Sequence, residues 1–223
     1  LPGVSYGQIF NLSFGNTTFV FLLFTFLMTY ALEQTPALRR FVAKALGSSF
    51  AGKTPWHFIG AFYTSVLFIS LFISPTILFM IVFPIYEEMM VLLGFKKGDR
   101  EASILLIVLF STIAIGTAMT PINHVFSVTA MALYKTATGI AISNAQYMMI
   151  GIPAGFVLFI VMGVFLRFFW RVDLSQVEMK QMTSLENLPP KGRREKATVL
   201  IFMSVVLLWV LPELIGGLLP DVA

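Results

Sequence analysis

The 223 residues contain no cysteine, which excludes disulfides, thiolate metal sites and cysteine nucleophiles. Charge is scarce as well. Only 12% of residues are Asp, Glu, Lys or Arg, against 57% hydrophobic, and the mean hydropathy is +0.87. A soluble globular domain does not have this composition. Histidine occurs only twice, and no acid stands at depth in the long apolar runs. An intramembrane enzyme needs a Ser–His or Asp–Asp pair there, or a metal cluster, so this class has little to build on. No basic n-region precedes the first apolar run, and no cleavable signal peptide is recognisable; a start on Leu1 reads as a piece of a longer protein.

What is present is apolar length. Several runs of 16 or more apolar residues predict an all-α polytopic membrane protein with the lipid bilayer as its partner. The net charge of +4 and pI near 9.4 are assigned to Lys and Arg at the cytoplasmic membrane surface, not to a nucleic-acid partner. The 23 Phe and 12 Met suit a lipid-facing, loosely repacking interior and require no cofactor.

Five segments follow along the chain. Residues 1–53 hold a first span, Phe14–Leu32 closed by Glu33, and an arm, EQTPALRRFVAKALG. In the arm Leu38, Phe41, Val42 and Leu46 fall near one face and Arg39, Arg40 and Lys44 elsewhere, which predicts an interfacial amphipathic helix. Residues 54–97 carry no charge from Phe58 to Phe83. A straight helix from Trp56 to Phe95 would be about 60 Å long, roughly twice the hydrocarbon thickness. The chain must turn, and Ser74-Pro75-Thr76 is where it can. Lys53 before the first arm and Lys96, Lys97 and Arg100 after the second put both ends in the cytoplasm, which predicts a re-entrant helical hairpin. Two short spans joined by a tight outer turn satisfy the same charges. Glu87 and Glu88 fall near its cytoplasmic end as interfacial residues.

Residues 98–171 begin with a second interrupted run. Ala102–Ile113 is apolar, IGTAMTPINH (Ile115–His124) breaks it, and Val125–Tyr134 resumes, predicting one discontinuous helix. Lys135–Gln146 reads as a polar outer loop, and Tyr147–Trp170 as an ordinary span. Residues 172–196 form a hydrophilic linker with Pro189-Pro190, and residues 197–223 a final span. In this topology Lys135 is the one basic residue of 15 that falls outside. Such asymmetry favours the assignment.

Non-helical backbone at membrane depth is tolerated only inside protein or beside a wet cavity. Taken singly, Ser and Thr in membrane helices are packing residues and Pro is a tolerated kink. Two adjacent breaks, each with Pro and small polar residues, instead form the pattern of a secondary transporter's binding site. Half-helix N-termini after Thr76 and after the Gly116–Asn123 break offer free N–H groups to an anion. Carbonyls at the preceding helix ends, with the hydroxyls of Ser74, Thr76, Thr117 and Thr120, offer hard oxygen ligands to a small cation. Gly116 allows close backbone approach, and Asn123 adds an amide. The candidate binding residues are therefore Ser74, Pro75, Thr76, Gly116, Thr117, Ala118, Thr120, Pro121 and Asn123. His124 reads as a hydrogen-bonded structural histidine. A non-transporting assembly subunit is the alternative function.

At these residues the chain resembles the divalent anion:sodium symporter family of the ion transporter superfamily. Four features carry the likeness: the ALEQTPALRR arm, the hairpin with its small polar tip, the TAMTP break, and a Pro-rich linker ending in RREKA. That family's tip is typically Ser-Asn-Thr, where this chain has Ser74-Pro75-Thr76. Its broken helix usually reads Gly-x-x-Thr-Pro-x-Gly-Thr; Gly116, Thr120 and Pro121 fit, while Asn123 and His124 replace the last pair. The resemblance implies two inverted repeats, a scaffold and a moving transport domain, a homodimer in a bacterial inner membrane, and sodium- or proton-coupled uptake of a small di- or tricarboxylate or sulfate. It also implies that this chain holds most of the first repeat and the opening helix of the second, and does not transport by itself.

Overall fold

The computed structural model describes residues 5–15, 17–122, 124–175 and 190–214. Every regular element among them is a helix: α1 (Tyr6–Phe14), α2 (Thr17–Glu33), α3 (Ala37–Leu46), α4 (Pro55–Ser70), α5 (Pro75–Leu92), α6 (Arg100–Met119), α7 (Val125–Thr138), α8 (Asn144–Val164) and α9 (Arg193–Leu214). A 3₁₀ turn, Ala51–Lys53, leads into α4, and a π turn, Phe165–Phe169, ends α8. By length and composition α5, α6 and α8 (with its π turn) can each cross a membrane. Helix α2 and the arm α3 together form a further candidate, bent by 61°. The chain is an all-α polytopic membrane protein.

Side-chain contacts fix the helix directions. Tyr63 of α4 donates its hydroxyl to the Leu105 carbonyl of α6, and farther along Leu67 and Ser70 lie against Gly116. Numbers rise together, so α4 and α6 run parallel. On α5, Tyr86 donates to the Ala102 carbonyl and Phe79 stacks on Phe110 at 4.4 Å. Here they run opposite ways. The arms α4 and α5 are therefore antiparallel, as both a re-entrant hairpin and two short spans require. Helix α8 also opposes α6: Tyr147 reaches Ala118 near one end, and Arg100 donates to the Trp170 carbonyl at the other. That second end gathers Lys53, Lys96, Lys97, Arg100, Arg167 and Arg171, with the Arg167 guanidinium 4.5 Å from the Trp56 ring centre. This is the basic end that the sequence pattern predicts to be cytoplasmic.

Several boundaries differ from the sequence expectation. A short helix α1 precedes the first span, started by a capping box in which Ser5 and Gln8 exchange hydrogen bonds. The same box, Ser143 with Gln146, starts α8, so the predicted loop Lys135–Gln146 shrinks to five residues between α7 and α8. Gly139, at φ +75°, ends α7 in the left-handed conformation that glycine takes without strain. The last helix starts at Arg193, ahead of Ala197. The linker's opening is not solvated either: Val172 and Leu174 are buried in the core.

The arm α3 is amphipathic as predicted, with Leu38, Val42 and Leu46 buried against α4 and α5. Phe41 departs from that face. It is half exposed and lines an apolar groove of about 280 Å³ with Phe68, Phe72, Phe202 and Met203. Arg40 departs too. Its guanidinium grips Glu195 of α9 with two hydrogen bonds, Nε to Oε1 at 2.8 Å and an Nη2 to Oε2 at 3.2 Å. Glu195 is 5% exposed, so this pair ties the arm to the first turn of the last helix away from bulk water. Two of the motifs that carry the resemblance, ALRR and RREKA, thus meet in space.

The Arg40 hydrogen bond holds the Glu195 carboxyl below the ordinary carboxylate value of about 4.5. A depressed folded-state pKa gives stability that is complete above the ordinary value and drains as pH falls through the folded one. Thermal unfolding of the purified protein between pH 7 and 3 should show an acid-side drop that Glu195→Gln flattens. A wild-type drop unchanged in the variant would remove Glu195 as its source.

Candidate functional site

Both predicted breaks exist; the first lies earlier along the chain, and the second is shorter than the sequence suggested. The hairpin turn is Leu71–Ser74. Pro75 opens α5 as its first residue, where its missing N–H costs nothing, and Thr76 lies inside the first helical turn with its side chain exposed. Ser74 precedes the helix without a side-chain hydrogen bond to it.

The second break is corrected more strongly. Helix α6 does not unwind at Ile115 but runs 20 residues to Met119, and can cross a membrane alone. Gly116, Thr117 and Ala118 are therefore helical, and the break falls between Met119 and Val125. Packing explains why. A Cβ built on Gly116 would fall 1.7 Å from Ser70 Oγ and 2.9 Å from the Leu67 carbonyl oxygen. The glycine lets α4 and α6 cross closely and does not bend the chain. Thr117 is buried and donates to the Ile113 carbonyl one turn back, 2.6 Å away. Ala118 is exposed.

Thr120 joins the two breaks. Its buried hydroxyl donates to the Leu71 carbonyl at 2.5 Å and accepts the Ile122 N–H at 3.3 Å. The first bond satisfies a carbonyl that the end of α4 leaves without a helical partner; the second fixes the loop. Residues 49 apart in sequence become one polar junction. Pro121 is buried beside it, while Asn123 lies outside the described residues.

A second polar group adjoins the junction, and the sequence reading missed most of it. Tyr147 donates its hydroxyl to the Ala118 carbonyl at 3.0 Å, one of the last carbonyls of α6. Its oxygen lies 3.1 Å from Ser127 Oγ, which is 3.4 Å from His124 Nδ1. The hydrogen-bonded histidine expected from the sequence is thus present, but its partners were not foreseen. The backing of the junction is Gly151-x-x-x-Gly155 on α8: a Cβ on Gly151 would meet the Met119 carbonyl oxygen at 2.7 Å, and one on Gly155 the Met119 Cγ at 2.1 Å. Small residues four apart are the usual means of close helix approach in a membrane, and this signal was readable in the sequence. Among the described residues no group of three or more His, Cys, Asp or Glu could hold a metal ion.

A polytopic helical bundle in which a hairpin turn and a helix break meet through a threonine has the architecture of a secondary transporter. The chain belongs to the CitMHS citrate transporter family, which it matches over residues 2–220. That family lies with the ion transporter superfamily named by the sequence resemblance, and it makes the chain a secondary transporter for anions and an integral membrane protein. No curated protein and no solved structure matches it.

Proposed function

We propose that the full-length protein carries a small di- or tricarboxylate, citrate foremost, across the cytoplasmic membrane of a bacterium, driven by sodium or protons. The observation that supports this reading is the Thr120–Leu71 hydrogen bond, which joins the ends of α4 and α6 a few residues before α5 and α7 begin. Neither start has a side-chain cap, so first-turn N–H groups such as those of Ile77 and Phe126 have no partner in their own helix. Paired positive helix ends suit a ligand with two carboxylates. With its proton directed to Leu71 and one lone pair taken by the Ile122 N–H, Thr120 Oγ1 keeps a second lone pair, the form a coupling cation would meet. The family's name supports citrate over sulfate. Movement by an elevator of the hairpin side against a scaffold, in a homodimer with an inverted second repeat as in the divalent anion:sodium symporters, completes the proposal. In it, residues 54–97 and 98–171 belong to the moving part and α3 is the connecting arm.

The test is uptake of labelled citrate, succinate and sulfate into proteoliposomes of the full-length protein, under an inward sodium gradient, an inward proton gradient, or neither. Citrate should accumulate under one of the gradients. Absence of uptake of every anion under both would overturn the transport reading and leave the assembly-subunit alternative.

A further inference from the structure

Hydrogen-bond polarity along the chain Ala118–Tyr147–Ser127–His124 determines what the histidine can do. A carbonyl only accepts, so the single proton of the Tyr147 hydroxyl is committed to Ala118. Tyr147 can then only accept from Ser127, whose own single proton is committed in turn. For Ser127 and His124 to be bonded as well, the proton between them must belong to His124 Nδ1. The order is His124 Nδ1–H to Ser127, Ser127 to Tyr147, Tyr147 to Ala118. It selects one tautomer of the neutral ring, with the lone pair on Nε2.

We propose that His124 Nε2 is a carboxylate-binding group at the junction, active only when the imidazole is protonated. In the neutral ring Nε2 is an acceptor and repels a carboxylate oxygen; protonation turns it into a charged N–H donor while leaving the Nδ1 bond unchanged. Each carboxylate bound there therefore takes up one proton with it. Among the described residues of the helices packed around it, no other group competes for that role. Helix α6 carries no charged residue after Glu101, α8 none before its π turn, and α2 none before Glu33. On α7 the only charge is Lys135, about three turns away. The hairpin is uncharged from Phe58 to Phe83, and the one titratable side chain facing His124 through Ser127 is Tyr147, whose proton is already committed. The ring stands half exposed at the first residue before α7, 5.5 Å from the Phe126 ring.

This inference rests on the citrate-transport reading, and the experiment separates the two. Citrate KM is measured from pH 5.5 to 8 in proteoliposomes of the full-length protein, for wild type and His124→Asn. Asparagine keeps a donor near the Nδ1 position and removes Nε2. Because both proteins meet the same protonation states of citrate, the ratio of their KM values isolates the protein's own group. That ratio should be near one at pH 8 and rise about tenfold by pH 5.5, in step with imidazole protonation. Ser127→Ala should shift the midpoint of the profile, and Ser127→Thr restore it. A ratio that stays flat with pH overturns the histidine's role while wild-type uptake keeps the transport reading. No wild-type uptake overturns both.

Discussion

Gly116→Ala lowers the stability of the bundle by about 3 kcal/mol, the upper end of the usual cost of overpacking. The reason is what the new methyl group would meet. One clash, 1.7 Å to Ser70 Oγ, can be relieved by turning a small side chain; the other, 2.9 Å to the Leu67 carbonyl oxygen, is against backbone. Helices in a membrane are held by close packing and hydrogen bonds, not by exclusion of water, so separating α4 from α6 removes the contact on which the junction depends. Thermal unfolding in detergent should show a midpoint lower by roughly 6–12 °C. Ser70→Gly in the same protein should recover part of the loss, because it removes the hydroxyl and leaves the carbonyl. Gly155→Ala is the comparison: its clash is with the flexible Met119 side chain, and it should cost less. Equal stability of Gly116→Ala and wild type would mean that the two helices do not cross as closely as described.

The second large effect is expected at Thr120. Valine preserves its shape but neither donates to Leu71 nor accepts from Ile122, leaving two buried backbone groups unsatisfied at about 1–3 kcal/mol each. If the junction is the binding site, citrate uptake falls at least tenfold, since a shift of about 1.4 kcal/mol in binding already gives that factor. Thr120→Ser should keep most of the activity. Thr117→Val is the control, because that hydroxyl bonds only to its own helix and its loss disturbs no second element. Equal defects in Thr117→Val and Thr120→Val would place the site elsewhere.

Much of the fold was legible because membrane solvation imposes length and charge rules that act on single segments. The overlong uncharged run forced a turn, and the basic flanks located both its ends on one side. The exact breaks were less legible, because glycine and threonine have two uses in an apolar helix. Gly116 and Thr117 look like unwinding residues in one dimension; in three they are a packing contact and a hydroxyl folded back on its own helix. Ser143 looked like loop because its capping role depends on Gln146 three residues later. Ser127 is one helical turn from His124, but Tyr147 could not have been added to that pair, since nothing local records that α8 returns antiparallel to α6. The same holds for Arg40, whose partner is 155 residues away.

That distance has a consequence for how the protein is made. At a synthesis rate of about 5–20 residues per second, residue 195 is joined to the chain roughly 8–30 s after residue 40. Insertion of the hairpin and of the helices that follow belongs to this interval, before the arm can be clamped to α9. The Arg40–Glu195 contact is thus a late closure, made when the earlier helices have already chosen their sides of the membrane, and it fastens an order of assembly that it had no part in setting.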